Sequence, residues 1–284
     1  MKTVLTCLDH SIYTQSVLDH AIWAASRLGA GMELMHTLDR HPEHSPTSNL
    51  SGSIGLGASE ELLQELAALD EKRSKLALER GRALLDEATR QARAQGVEPV
   101  HPRLRHGDLV DALAEIDTAF DLLVMGKRGE AADMAKLHLG RNVERVARAI
   151  NHPMLVASRA FKPIQRVLVA FDGSASARKA VELAARHPLL AGLECHVVIA
   201  ATESPESKAA MHWASQLLDA AGVAPRIEMI PGHADTVIAD YVRLHAIDLL
   251  AMGAYGHSRI RQFIVGSTTT TMMRSCLVPI LLVR

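Results

Sequence analysis

The chain has 284 residues, 48% of them hydrophobic and 22% charged, a length that usually divides into two domains with ample cores. Lysine and arginine total 31 and aspartate and glutamate total 32, so the formal net charge of −1 gives no bulk electrostatic reason to expect a nucleic acid or an anionic membrane as partner. The three cysteines are isolated in apolar surroundings, and no signal core or run of about eighteen apolar residues occurs, so the sequence predicts a cytoplasmic protein with reduced thiols and no membrane span.

The first half alternates short apolar runs with longer segments of helical period. Such runs are typical of parallel strands buried on both faces. The predicted elements, in chain order, are strand 3–8, helix 12–28, strand 32–38, helix 60–95, strand 98–104, helix 108–118, strand 121–125, helix 141–150 and strand 153–157. At about 1.5 Å per residue the second helix exceeds what one domain face needs, which leaves docking on the other half or on a second subunit open.

An insertion rich in Gly, Ser and Pro, residues 41–57, separates the second strand from the long helix. Its composition predicts a surface loop that could cover the cleft. His41, Glu43 and His44 could ligate zinc, but the lack of a further ligand nearby favours a solvated loop. The pair Gly55 and Gly57 is a weak dinucleotide signal, because no strand directly precedes it and no third glycine follows.

The second half repeats the order of the first after a short linker, residues 159–163. Its predicted elements are strand 166–171, helix 174–187, strand 193–200, helix 205–221, strand 225–230, helix 233–245, strand 248–252, helix 267–276 and strand 279–283. The segment ending at Asp9 matches the one ending at Asp172, and the segment ending at Gly126 matches the one ending at Gly253. The duplication predicts an α/β fold of two tandem Rossmann-like domains, 1–158 and 164–284, each a five-stranded parallel sheet with helices on both faces.

Right-handed crossovers place the fourth strand of each half beside the first, so a crevice opens at their carboxyl ends. In the second half Asp172 ends the first strand and Gly253 ends the fourth. A carboxylate at that place can accept hydrogen bonds from a ribose, although Asp172 or Ser174 could equally cap the next helix.

The same half carries a glycine-rich segment, from Gly253 through Gly256 to Gly266, followed by Ser267 and Thr268. Glycine lets backbone amides approach an anion closely, and the helix that opens near Gly266 adds the positive end of its dipole. The pattern predicts a phosphate site, although glycines that serve only tight turning remain the alternative.

These motifs resemble the universal stress protein family, and the resemblance covers nearly the whole chain as two tandem copies. It rests on Val167–Ser174, Pro231–Asp235, Met252–His257, Gly266–Thr268 and Val278–Val283. Family members that keep the spacing glycine, two residues, glycine, nine residues, glycine and Ser/Thr are similar in binding ATP. The resemblance implies Asp172 at the ribose, Val197 against the adenine through its backbone and Met252 lining the pocket. The full set of ATP-binding residues that we predict is Ala170, Asp172, Val197, Met252, Gly253, Gly256, His257, Gly266, Ser267 and Thr268.

The first half departs from this pattern. Ten residues separate Gly129 from Gly140, Arg141 and Asn142 replace the hydroxyl pair, and His10 replaces the counterpart of Gly173. These changes predict a degenerate nucleotide motif, in a pocket that is empty of nucleotide or holds another ligand.

No local motif for P-loop, serine-esterase or zincin chemistry occurs, so we predict no catalytic or metal-ligating residue. The sequence favours an ATP-binding cytoplasmic stress-response regulator or binding module, with ATP held with or without Mg²⁺. A slow ATP-hydrolysing enzyme that uses the same pocket and a nucleotide-free interaction scaffold remain open.

The expected partner is an adenine nucleotide, with neither nucleic acid nor membrane. The last strand is apolar, and an exposed edge of that kind needs a partner. The two halves could satisfy one another as an internal pseudo-dimer, and a further homodimer remains open.

Overall fold

A computed structural model describes residues 2–38, 56–116, 119–129, 140–254 and 267–284. Ten strands and eight helices lie within these residues. The strands are β1 (Thr3–Cys7), β2 (Gly31–Leu38), β3 (Val100–His106), β4 (Leu122–Gly126), β5 (Met154–Ala157), β6 (Arg166–Ala170), β7 (Glu194–Ala200), β8 (Arg226–Ile230), β9 (Leu249–Gly253) and β10 (Ile280–Val283). The helices are α1 (Thr14–Leu28), α2 (Leu56–Ala94), α3 (Leu109–Ala114), α4 (Arg141–Ala149), α5 (Ala175–Arg186), α6 (Pro205–Ala220), α7 (Ala234–Leu244) and α8 (Ser267–Ser275).

The strands form one sheet in the order β3-β2-β1-β4-β5-β10-β9-β6-β7-β8. Within each half all pairs are parallel. Val4 lies opposite Leu122, and Val167 lies opposite Leu249, so the fourth strand of each half lies beside the first, as the crossover rule predicts. The predicted α/β Rossmann-like architecture is confirmed.

The two half-sheets join through their last strands, β5 and β10. This pair is antiparallel and sets Leu155 opposite Leu281. Both leucines are 0% exposed in the core on one face of the sheet, and the pairing leaves neither apolar edge open to solvent. The two predicted five-stranded sheets therefore form one continuous ten-stranded sheet.

Helices cover both faces of this sheet. The core on one face packs α1, α2, α5 and α6, and the core on the other packs α3, α4, α7 and α8. Successive strand residues point to opposite faces, so Leu281 enters the first core and Leu282 the second. Each core contains residues from both halves, which makes the hydrophobic interior continuous across the join.

Several element bounds differ from the prediction, most of them by one or two residues. The long helix begins at Leu56, so Gly57 lies inside α2 and does not form a nucleotide-binding turn. Helix α3 ends at Ala114, because the amide of Ile116 bonds three residues back, to Leu113, rather than four. Strand β3 begins at Val100, two residues later than predicted. The histidines and glutamate of the zinc hypothesis, 41, 43 and 44, lie outside the described residues.

Candidate functional site

The turn after β6 presents the first candidate residue, Asp172. Its Oδ1 accepts a hydrogen bond from the amide of Ser174 at 2.9 Å, and Gly173 between them has φ +77°. Ser174 Oγ in turn accepts from the amide of Ala177, so Ser174 is the N-cap of α5. The exposed Asp172 is therefore not needed as the cap, and its second carboxylate oxygen makes no hydrogen bond to the described residues.

Side chains from α5 and α6 hold this turn in place. Arg178 Nε donates to the carbonyl oxygen of Gly173 at 3.1 Å, and its guanidinium carbon lies 4.4 Å from the centre of the Trp213 ring. Phe171 stacks on the same indole, with ring centres 5.7 Å apart. These contacts fix the direction of the strand end that carries Asp172.

Gly253 ends β9 directly against the first turn of α5. A Cβ at this position would lie 2.6 Å from the backbone nitrogen of Ala177 and 2.6 Å from Ser176 Oγ. Only glycine fits, because the nearest atom belongs to backbone. The next amide, of Ala254, donates to the carbonyl oxygen of Val283 at 2.7 Å and so belongs to the sheet.

Ala170 and Met252 lie at the base of the crevice. They are paired on β6 and β9, which brings the strand ends that carry Asp172 and Gly253 side by side. Ala170 is half-buried, whereas Met252 is buried in the core that contains α7 and α8.

Val197 lies deeper than the sequence suggested. It is 0% exposed, stands three positions before the end of β7 and is paired with Val169 on one side and Ile227 on the other. The residue at the carboxyl end of β7 is Ala200. A backbone contact between Val197 and an adenine remains a prediction, and the structure places Val197 within the sheet.

The remaining predicted residues belong to the phosphate loop. Gly256, His257 and Gly266 lie outside the described residues. Ser267 is the first residue of α8, and Thr268 is half-buried in its first turn. The structure therefore brings Ala170, Asp172, Met252 and Gly253 together at two neighbouring strand ends. The phosphate loop itself stays a prediction.

The crevice of the first half has the same turn after its first strand, but different contacts surround it. Asp9 Oδ1 accepts from the amide of Ser11 at 3.1 Å, which repeats the turn at Asp172. The other oxygen, Oδ2, lies 3.1 Å from the position that a Cβ on Gly129 would take. The amide of Gly140 donates to the carbonyl oxygen of Lys127 at 3.0 Å. A loop amide is therefore satisfied internally, and a carboxylate lies close to the loop backbone.

Histidines and a helix also cover the strand ends of the first half. His10 meets His36 edge to face with ring centres 5.4 Å apart, and His36 Nδ1 lies 2.8 Å from the carbonyl oxygen of Leu8. Gly81 of α2 lies directly on this pair, since a Cβ there would be 2.8 Å from His36 Cδ2. His10 lacks the left-handed backbone that Gly173 adopts.

Comparisons with known proteins agree with this duplicated architecture. The sequence profile of the universal stress protein family matches residues 1–158 and again residues 163–284. The chain belongs to the universal stress protein family. The universal stress protein Slr1230 of Synechocystis sp. is 40% identical over 287 residues and is aligned over 100% of both chains.

Solved structures show the same fold. A universal stress protein of Archaeoglobus fulgidus DSM 4304 superposes with a TM-score of 0.74 at 20% identity, over 99% of this chain and 98% of that one. A protein of Pseudomonas aeruginosa UCBPP-PA14 superposes with a TM-score of 0.63 at 15% identity, over 100% and 93% of the two chains.

Lys127 is a residue of this universal stress protein that sequence reasoning missed. It follows Gly126 at the place where the second half has Ala254, and its side chain is 6% exposed. Its Nζ donates to the carbonyl oxygens of Cys276 and Val278, so it connects the halves. Burial lowers the pKa of this ammonium group to about 8. The sequence signal that could have identified it is that lysine stands in the first half where the second half has Ala254.

Other chemistry has little support in the part of this universal stress protein that the structure describes. No group of three His, Cys, Asp or Glu side chains there could hold a metal ion. No described helix is both long and apolar enough to cross a membrane. The three cysteines are free thiols, and burial raises the pKa of Cys195 to about 11, which makes that thiol unreactive.

Proposed function

We propose that this universal stress protein binds ATP in the crevice of its second half and acts as a nucleotide-dependent regulator in the cytoplasm. The observation that carries the proposal is the pair of strand ends at Asp172 and Gly253. They lie side by side, one with an exposed carboxylate and the other with a glycine that ends β9 against the first turn of α5. The complete pattern of three glycines and a hydroxyl pair begins at Gly253 in this half and is absent from the other.

Each part of the crevice matches a part of the nucleotide. The free oxygen of Asp172 accepts a ribose hydroxyl, a charge-assisted hydrogen bond of about 1.5–3 kcal/mol. Gly253, Gly256, His257 and Gly266 surround the phosphates together with the hydroxyls of Ser267 and Thr268 at the positive end of α8. Ala170 and Met252 form the floor. The end of β7 at Ala200 is the surface for the adenine, with Val197 supporting that strand from inside the sheet. Mg²⁺ would enter bound to the triphosphate.

The first half serves as a packing partner in this proposal. Its own Asp9 carboxylate lies close to the backbone of its loop, and a second anion there would meet like charge. The domains that we propose, 1–158 and 164–284, thus have different tasks, with a single nucleotide per chain.

The test is ATP binding by isothermal titration calorimetry with the full chain. Asp172→Asn keeps an oxygen that accepts the Ser174 amide but removes the charge, so we expect ATP affinity to fall about tenfold or more. Asp9→Asn is the matched control in the first half and should leave ATP affinity unchanged.

Two outcomes would contradict the proposal. Absence of binding at millimolar ATP would make the chain an interaction scaffold, and a loss confined to Asp9→Asn would move the site to the other half. Steady-state phosphate release from the same samples measures turnover and would identify the hydrolase alternative.

A further inference from the structure

A cavity of about 200 Å³ lies where the two halves meet, and we call it the join cavity. Tyr13, the loop after β4 and the segment after β5 line it from the first half, and the carboxyl end of α8 lines it from the second. These segments meet because β5 and β10 are antiparallel, with Val156 near the end of one strand opposite Ile280 at the start of the other. Asp9 and Gly129 are not among the lining residues, so the join cavity is separate from the crevice of the first half.

Four of the side chains that line the join cavity are cationic. Lys127, Arg128 and Arg159 come from the first half, and Arg274 comes from the second. None of the lining residues that the structure describes is acidic, and the carboxylate 3.3 Å from Arg274, that of Glu144, lies outside the lining. Arg159 is exposed, and its guanidinium group has no hydrogen bond or ion pair to the described residues. Charges of one sign repel each other, so an anion in the cavity would be stabilised there.

Lys127 keeps a donor for such an anion. Its ammonium group has three N–H bonds, and two of them are used by the carbonyl oxygens of Cys276 and Val278. Burial lowers the pKa of this group to about 8, and the nearby charge of Arg128 acts in the same direction. A bound anion would favour the charged form of the lysine, which burial and like charge disfavour.

The cationic side chains of the join cavity are not a by-product of the duplication. The counterpart of Lys127 in the second half is Ala254, and the counterpart of Arg128 is Tyr255. Two of the four cations are therefore specific to this end of the join. They belong to the half whose glycine pattern departs from the complete one.

We propose that the join cavity binds the phosphate group of a small anion. Its three guanidinium groups offer paired N–H donors, which suit the oxygens of a phosphate. A doubly charged phosphate brings more oxygens and more charge to these donors than a single carboxylate does. Pockets that hold drug-sized ligands measure roughly 300–1,000 Å³, so a cavity of about 200 Å³ limits the ligand to inorganic phosphate or a small phosphate ester.

Isothermal titration calorimetry of the full chain with inorganic phosphate, in a phosphate-free buffer of fixed ionic strength, tests the inference. We expect saturable binding with a submillimolar dissociation constant. Arg159→Gln removes a charge-assisted donor and should weaken phosphate binding about tenfold, and adding Arg274→Gln should weaken it about a hundredfold. Arg186→Gln is the matched control, since Arg186 is exposed at the end of α5 and lies outside the cavity. It should change phosphate affinity by less than twofold.

Glycerol phosphate, titrated in the same way, distinguishes the two sources of the phosphate group. Binding of either probe that is lost in the double variant supports the inference, and the tighter of the two identifies the source.

ATP separates the join cavity from the crevice of the second half. With ATP present we still expect phosphate to bind, and ATP affinity should be the same in Arg159→Gln as in the wild type. Absence of saturable binding of both probes, equal affinity in the wild type and the double variant, or complete displacement of phosphate by ATP would each overturn the inference. If ATP does not bind at all, the comparison of Arg159→Gln with Arg186→Gln still tests the join cavity.

Discussion

Lys127 places a positive charge at the boundary between the two halves, and this charge makes stability depend on pH. An unfolded lysine titrates near its ordinary pKa of 10.5, whereas burial lowers the pKa in the folded protein to about 8. Below pH 8 both forms are protonated, and the folded state carries the cost of a buried charge. Between pH 8 and 10.5 the folded state loses its proton first, so the contribution of Lys127 to the free energy of unfolding rises with pH.

We therefore compare the free energy of unfolding of the wild type with that of Lys127→Met. Between pH 7.5 and 10.5 we expect the difference, wild type minus variant, to rise by up to about 3 kcal/mol. Urea denaturation across this pH range measures the difference. Lys162→Met removes an exposed lysine, and the difference between its free energy of unfolding and that of the wild type should not change over this pH range. A flat difference for Lys127→Met as well would show that the buried ammonium group does not titrate in this way.

At the level of single residues, the positions of Asp172 and Gly253 at adjacent strand ends could be predicted, because each follows an apolar strand at a spacing that can be read directly. The depth of Val197 in the sheet could not, because pairing between β6 and β7 sets the register and the valine run does not; its contact with an adenine stays a prediction. Lys127 was missed because a lysine after a strand is ordinarily solvated. Its burial depends on carbonyl groups at Cys276, 149 residues away.

At the level of elements, the packing of α5 on β9 depends on Gly253. A methyl group there would lie 2.6 Å from the backbone nitrogen of Ala177 and would push α5 away from the end of β9. We expect Gly253→Ala to lower the free energy of unfolding by about 1–3 kcal/mol and to weaken ATP binding. Denaturation midpoints and calorimetry measure the two effects.

Gly126→Ala is the matched control for this substitution. The methyl group would meet the side chains of Tyr13 at 3.1 Å and Val17 at 3.3 Å and the carbonyl oxygen of Arg128 at 3.4 Å, a milder overlap than the 2.6 Å at Gly253. Its cost should be smaller, and ATP binding should not change. Equal losses of stability in the two variants would mean that the contact of Gly253 with Ala177 matters no more than the contacts of Gly126.

The order of elements could be predicted because strands buried on both faces and helices of regular period leave different patterns. Their ends could not. Helix α2 starts at Leu56, four residues earlier than predicted; Gly57 lowers the helix propensity of this first turn, so the local sequence favours a later start. Helix α3 stops early because a local turn at Leu113 and Ile116 replaces its last bonds.

At the level of the whole molecule, the β5–β10 join predicts that the halves unfold together. Both cores cross the join, and Leu281 lies in it at 0% exposure. Calorimetry of the wild type should give one cooperative transition. Leu281→Lys places a charge in the join and should cost roughly 3 kcal/mol or more and separate the transition into two.

Leu277→Lys is the control for this substitution, since Leu277 is 90% exposed and precedes the same strand. It should leave the single transition intact. Two transitions in the wild type would show that the halves are energetically independent. The sequence predicted an apolar last strand in need of a partner, but the exact pairing of Leu281 with Leu155 required the structure.

The antiparallel join also sets where each surface can be reached. Because β5 and β10 run in opposite directions, the carboxyl ends of the two half-sheets lie on opposite rims of the molecule. The crevice at Asp172 opens on one rim, and the contact of α2 with His36 lies on the other. A partner that covered the α2 rim would leave the entrance beside Asp172 open, so that loading with ligand and association need not compete for the same space.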